Sequence, residues 1–414
     1  MNAQTLPPAL RRFWLLMAAG TALSILYTAA SAYLFRLPAP YGLPLLWGKG
    51  FGSDFMTFYP GFSHFGTDTF WFSFDYPFTY PAPAAIAFAA LFKLSHPVRT
   101  YLLLCIVALA VGMAAMARQL IRSHISAGTA WAFTITNAIM AWPILLLFDT
   151  ANIEGLVAIL LAGGVLAILW NRFWLGAILV GIAGSMKLFP LILLGLLLSK
   201  RRYKEFAAAL FVAAAVTVAS LHLLGPTIVE AQRHINVGLV MVKNIYFFAE
   251  GRNTTAFDHS LWVPVRFAAA WIARSHSFQN RTLTAYLCTI ATAGPALFFG
   301  KIRHLPVLNQ VLALTLCAVL LPPLSIDYTL IHLLVPFGLL CVYATSNAPA
   351  SGLSAIFTAF AVLFNIDSFL TNRFTYAAEA RTLALLVLLI LVLRNPFPWA
   401  KLDSAAPSDT ASNV

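Results

Sequence analysis

Apolar runs of about 20 residues recur along almost the whole chain, and short clusters of Lys and Arg stand between them. A hydrocarbon core ~30 Å thick is crossed by about 20 helical residues, so this period is the one a bilayer imposes. Lipid offers no partner to a backbone N–H or C=O, which leaves helices and closed barrels as the only spanning structures. Barrel strands alternate in polarity, and these runs do not. Only 10% of the residues are charged, against roughly 25% in a soluble domain. The expected fold is all-α, a polytopic helical membrane protein.

The net charge of +12 does not gather into one basic domain. The cations sit in small groups beside apolar runs, so membrane lipids are expected partners and nucleic acid is not. Cys105, Cys288, Cys317 and Cys341 lie in apolar segments without metal-ligand spacing, which points to buried small side chains and no metal site. Arg11 and Arg12 precede an apolar run, Phe13 to Leu34, that exceeds the roughly 7–15 residues of a signal-peptide core. It reads as a first span with a cytoplasmic N-terminus.

Spans are expected at 13–34, 80–94, 98–120, 129–148, 153–170, 173–198, 205–224, 282–300, 305–323, 329–345, 353–370 and 382–394. That makes about 12, or 13 if the short stretch 261–273 crosses; Pro264 and Arg266 favour an interfacial helix there. Both termini and the cluster Lys200 to Lys204 then fall in the cytoplasm, as positive charge demands. The same count puts Lys93 and Arg99 inside, but Arg118 and Arg122 outside. Two long loops, 36–82 and 225–281, are expected on the extracytoplasmic side. Residues 1–400 form a single membrane domain, and the small polar segment 401–414 is expected to be a disordered cytoplasmic tail.

The first outer loop concentrates aromatics. Fourteen of the 34 residues from Trp47 to Tyr80 are aromatic, and among them stand Asp54, Asp68, Asp75 and His64. Asp54 falls near the start of a short helical stretch, where the dipole favours an anion. Such an aspartate is either a cap or a base placed to take a proton from a sugar hydroxyl. The prolines and rings from Asp75 to Pro83 stiffen the re-entry into the membrane. They suit an interfacial belt or stacking on sugar and polyprenyl, a floor where lipid, sugar and water meet. Tyr59 and Tyr80 are candidate substrate contacts.

Lys187 stands inside an apolar span, where a cation marks a site or a paired charge unless it snorkels to the interface. In the polar run Glu250 to Leu261, Arg252 can bind a phosphate and His259 can hydrogen-bond one or carry a proton; a plain solvated loop is the alternative. Asp327 follows the Pro322-Pro323 break, with His332 in the same span, as a cap or as a wall of a site. Asp149 to Glu154 is a further polar knot to which the sequence assigns no role. No phosphate-binding Gly-rich loop, His-Glu-x-x-His or Gly-x-Ser-x-Gly elbow is present, against an ATP-driven pump or a membrane zinc protease.

Five stretches taken together resemble glycosyltransferase family 87. They are Asp54-Phe55-x-x-Phe58-Tyr59, Tyr80-Pro81-x-Pro83, Lys187-Leu188-Phe189-Pro190, Asn253 with His259-Ser260-Leu261, and Pro323-x-Ser325-x-Asp327-Tyr328. The resemblance implies the C-type glycosyltransferase fold and a hexosyltransferase, with mannose favoured. It implies Asp54 as the base, with Lys187, Arg252, His259 and Asp327 at motif positions expected to serve substrate binding. The donor would be a polyprenyl-phosphate-linked sugar, used on the extracytoplasmic face of the plasma (inner) membrane, and the acceptor a glycan or glycolipid. No cofactor and no metal are implied. Two places depart from the family pattern: no Gly-Gln precedes Asn152, and Ile326 and Tyr328 stand where an aromatic and a histidine are usual. Direct displacement would invert the anomeric centre, the leaving phosphate being met by Arg252 or Lys187. A transporter or flippase of lipid-linked sugars would instead cluster polar groups at mid-membrane in matched halves, and no internal repeat is visible. A non-catalytic subunit of envelope polysaccharide assembly is a third class.

Overall fold

The computed structural model describes residues 5–33, 52–67, 69–74, 78–247, 257–273, 275–346, 351–365 and 376–400. Asp68, Asp75, Arg252 and the expected tail 401–414 lie outside them. Regular structure among the described residues is helical, apart from isolated bridge residues such as the antiparallel pair Asp258 and Ile326. The helices are α1 (Pro8–Tyr33), α2 (Ser53–Met56), α3 (Tyr59–Phe62), α4 (Ala82–Phe92), α5 (Pro97–Arg122) and α6 (Ala127–Met140). Next come α7 (Trp142–Thr150), α8 (Glu154–Leu169), α9 (Phe173–Met186), α10 (Gly195–Ser199), α11 (Tyr203–Leu224) and α12 (Ile228–Tyr246). The chain ends with α13 (Trp262–Ile272), α14 (His276–Gly300), α15 (Val307–Leu320), α16 (Leu334–Ser346), α17 (Leu353–Phe364) and α18 (Tyr376–Arg394).

Five stretches among the described residues are long and apolar enough to cross a membrane: Pro8–Tyr27, Pro97–Arg122, Tyr203–Leu224, His276–His304 and Asp327–Ser346. A sixth is added if α6 and α7, bent by 52°, count as one span. The other expected spans correspond to shorter helices. The 14 residues of α9 reach only about 21 Å. The breaks have local causes: Pro143 opens α7, Lys187 turns extended at the end of α9, and Pro190 starts a 3-10 segment, Phe189–Leu194, in place of a continuing helix.

Side-chain contacts sort the helix ends into two layers. One layer holds Gly52, whose N–H donates to the Asp149 carbonyl (2.7 Å), together with Tyr80, Asn152 and Lys187. The opposite layer is tied by Arg12 to Ser354 (3.3 Å), Ser123 to Ser346 (3.0 Å), Ser199 to Gln310 (2.5 Å) and Asn309 to the Asn395 carbonyl (2.8 Å).

This frame corrects the expected course of the chain. The 11 residues of α4 reach only about 16 Å, and the segments at both its ends lie against the same layer. Tyr80 before it is bonded to Asn152, while Leu94 to Arg99 beyond it form a groove with Met56 and Tyr59. Expected span 80–94 is therefore not a crossing, and α5 starts in the Asp54 layer. Arg118 and Arg122, near the Ser123 end of α5, consequently lie toward the opposite layer. Expected span 173–198 is a hairpin. Phe173 lies under Arg202 (4.1 Å to the ring centroid), Lys187 reaches the Asp54 layer, and α10 returns to Ser199. The polar knot Asp149 to Glu154, which the twelve-span count sets across the membrane from Asp54, lies against it.

The first loop is folded rather than laid out as a surface. Phe55, Phe58, Phe62, Phe70 and Phe78 are buried and interlock with Phe88 and Phe92 of α4. Ring centroids are 4.8 Å apart for Phe55 and Phe92, 5.1 Å for Phe58 and Phe78, and 5.3 Å for Phe62 and Phe70. Each such pair adds about 0.5–1.5 kcal/mol beyond its buried area. Most of the rings expected to form a floor for lipid and sugar are thus a core that fastens the loop to α4. Tyr59 and Phe72 remain exposed.

The second expected loop is largely helical, through α12, α13 and the start of α14. With 11 residues, α13 is too short to cross alone. Thr227 caps α12 by accepting from the Glu230 N–H (3.1 Å), and Ala231, Ile235 and Gly238 face inward. A methyl group on Gly238 would overlap the backbone carbonyl of Phe78. Gly238→Ala is expected to lift α12 off the aromatic loop at a cost of about 1–3 kcal/mol, read as a lower thermal midpoint in detergent. An unchanged midpoint would contradict this packing.

Candidate active site

Asp54 lies on α2, which Gly52 starts from a left-handed backbone (φ 70°). Phe55, the next residue, is fully buried against Phe88, Phe92 and Tyr101, and this anchors the helix turn. The Asp54 side chain is half-buried, and its Oδ2 accepts from Asn152 Nδ2 at 2.7 Å. Asn152 is presented by a tight reversal between α7 and α8 in which Ala151 takes a left-handed φ of 50°, unusual for a residue with a Cβ. The same amide donates to the Tyr80 hydroxyl (3.1 Å), its Oδ1 accepts from the Glu154 N–H (2.9 Å), and its backbone carbonyl accepts from the Tyr101 hydroxyl.

Glu154, fully buried at the start of α8, joins a second group. Its Oε2 pairs with Lys187 Nζ and its Oε1 accepts from His332 Nε2 at 2.6 Å. The Lys187 ammonium also lies 5.5 Å from the ring centroids of both Tyr80 and Tyr328, a cation–π arrangement. Lys187 is thus a paired charge rather than a snorkelling one, and it remains 18% exposed.

Asp327 and His259 form a third group, and both side chains are fully buried. Asp327 accepts from Trp142 Nε1 (2.9 Å) and His259 Nδ1 (3.1 Å), and pairs with Arg381. A carboxylate only accepts, so Nδ1 carries the proton and His259 Nε2 is left to accept from the Ser325 hydroxyl at 3.0 Å. The 3-10 segment Asp327–Leu333 connects the groups, because Asp327, Tyr328 and His332 all belong to it.

The structure therefore brings Asp54, Tyr80 and Lys187 together through Asn152 and Glu154. His259 and Asp327 sit beside them in a closed network. Tyr59 lines instead the open groove of about 420 Å³ with His96, Val98 and Arg99. Sequence reasoning did not single out Asn152, Glu154, Trp142 or Arg381 in these roles. The knot Asp149 to Glu154 was a visible signal for the first two. Arg381, just ahead of the last apolar run, carried none. Burial raises the Asp54 pKa above the usual carboxylate value, and the Asn152 hydrogen bond and the Lys187 charge hold it down in part. Among the described residues no three His, Cys, Asp or Glu side chains are grouped to hold a metal ion.

The fold and the site define an integral-membrane protein with a carboxylate-centred polar site at one end of its helical bundle. The chain matches the family model of Glycosyltransferase family 87 over residues 78–324, more than half its length, and belongs to that family. It is a membrane glycosyltransferase. The matched region contains Tyr80, Asn152, Glu154, Lys187 and His259, while Asp54 precedes it and Asp327 and Arg381 follow it. No curated protein and no solved structure matches the chain.

Proposed function

We propose that this glycosyltransferase moves a hexose, with mannose favoured, from a polyprenyl-phosphate donor to a lipid or envelope-glycan acceptor on the extracytoplasmic face, with inversion. The observation that carries this reading is the half-buried Asp54 carboxylate, held at 2.7 Å by Asn152 beside the Lys187 group. Asp54 takes the proton of the acceptor hydroxyl, the hydroxyl oxygen forms the new bond to the anomeric carbon, and the bond to the lipid phosphate oxygen breaks. Lys187, with one contact to Glu154, has further N–H donors to meet the leaving phosphate. Direct displacement of this kind inverts the anomeric centre.

The extracytoplasmic assignment rests on charge. The layer opposite Asp54 carries Arg12, Arg122, Lys200 to Lys204, Lys301, Arg303 and Arg394, and cationic loops stay in the cytoplasm. His259 and Asp327, buried in their own network, support the site from behind rather than touching substrate. Synthetic polyprenyl-phosphate mannose and a nucleotide-linked mannose, each given to the purified full-length chain with a membrane lipid extract, test the reading. Transfer from the lipid-linked donor with inverted configuration, read by NMR of the product, is expected. Transfer from the nucleotide sugar alone, or retention of configuration, would overturn it. Absence of transfer from both would favour the transporter reading.

A further inference from the structure

We infer that Asn152 is a positioning residue: its side-chain amide orients the Asp54 carboxylate and the Tyr80 hydroxyl, and the Glu154 backbone fixes which way that amide faces. The inference rests on the reading of Asp54 as the base. An asparagine amide can usually be turned over without penalty to the packing. Here it cannot, because the Glu154 N–H stands 2.9 Å from Oδ1 and a backbone N–H can only donate. The amide nitrogen is therefore committed to Asp54 Oδ2 (2.7 Å) and the Tyr80 oxygen (3.1 Å). Its two hydrogens meet two acceptors, and the Asn152 backbone carbonyl accepts from the Tyr101 hydroxyl. Every polar group of this side chain is used, and it is 1% exposed.

Two consequences follow for the reaction. Asn152 takes one acceptor site of Asp54 Oδ2, so Oδ1 is the freer oxygen to receive the acceptor proton. Tyr80, accepting from the amide, is free to aim its own O–H elsewhere, toward substrate or water. Glu154 adds a mechanical link, since the residue that fixes the amide is itself held by Lys187 and His332. Among the described residues the ionisable groups around Asp54 are Asp149 on α7, Tyr80 ahead of α4, Glu154 on α8, Lys187 after α9 and Tyr328 of the 3-10 segment.

Asn152→Asp separates positioning from folding. The new carboxylate keeps the acceptor for the Glu154 N–H but exchanges the donor toward Asp54 for a like charge. Two carboxylates at this separation share a proton, so the Asp54 titration moves upward. The readout is infrared titration of the full-length protein, with the Asp54 carboxylate band isolated by subtracting the Asp54→Asn spectrum. The midpoint is expected to rise by about one unit or more in Asn152→Asp, and the acidic limb of the transfer-rate profile with synthetic polyprenyl-phosphate mannose to move with it. Asn152→Ala, which removes the donor without adding charge, is expected to raise the midpoint as well, and serves if the aspartate variant does not fold. An unchanged midpoint in both variants overturns the inference. Should the midpoint move while Asp54→Asn keeps full transfer, the base reading falls and the inference with it; an inactive Asp54→Asn beside an unmoved midpoint sinks the inference alone.

Discussion

Asp54→Asn is expected to lower the rate of sugar transfer by about 100- to 10,000-fold, the range one general base supplies. The substitution is close to isosteric, and the amide oxygen can still accept from Asn152 Nδ2, so the loop keeps its contact at 2.7 Å. Phe55 and the aromatic core around it are untouched, and the thermal midpoint should hold. What is lost is the capacity to take a proton. In the parent protein the rate rises with pH as Asp54 ionises. Burial raises its pKa, so the acidic limb of the profile lies above the ~3.9 of an ordinary aspartate. In the variant that limb disappears. Transfer retained within a few-fold of the parent would remove Asp54 from the mechanism.

Asp327→Ala is expected to act on stability rather than on substrate binding. The carboxylate accepts from Trp142 and His259 and pairs with Arg381, and neither Asp327 nor Arg381 is more than 1% exposed. Removing the acid breaks this buried ion pair and takes the acceptor from Trp142 Nε1 and His259 Nδ1, a loss of about 3–5 kcal/mol in comparable buried pairs. A thermal midpoint lowered in detergent is the measurement. Replacing both members, as Asp327→Leu with Arg381→Met, is expected to recover part of the loss because the pair is then exchanged as a whole for apolar side chains. A normal midpoint with a raised KM for the donor would show instead that Asp327 meets substrate.

The sequence pointed to polar residues that meet in the folded chain, and it was a poorer guide to the course of the chain. Asp54, Tyr80 and Lys187 were picked out because each is costly or stiff where it stands, and the folded chain brings all three together. The number of crossings was harder to read. Residues 80–94 and 173–198 have the apolar content of single spans, yet the first has both ends against one layer and the second folds back at Lys187. Hydropathy registers how apolar a stretch is, and it does not register where a helix stops. Those stops depend on Pro143, Pro190 and the extended backbone at Lys187. The surplus of phenylalanines was equally ambiguous, since a ring that stacks on sugar and a ring that stacks on Phe88 have the same composition.

By itself, then, the sequence determined a helical membrane protein, the family it belongs to, and which isolated polar residues demanded a purpose. Each of those properties is local: an apolar period, a motif, a charge in an apolar run. Only the tertiary structure decided that Asp54 and Asn152, 98 positions apart, lie in hydrogen-bond contact, and that Glu154 takes Lys187 while Asp327 takes Arg381. A buried charge must find a partner, but which partner is a question of helix lengths and breaks summed along the chain, and no single stretch contains that sum.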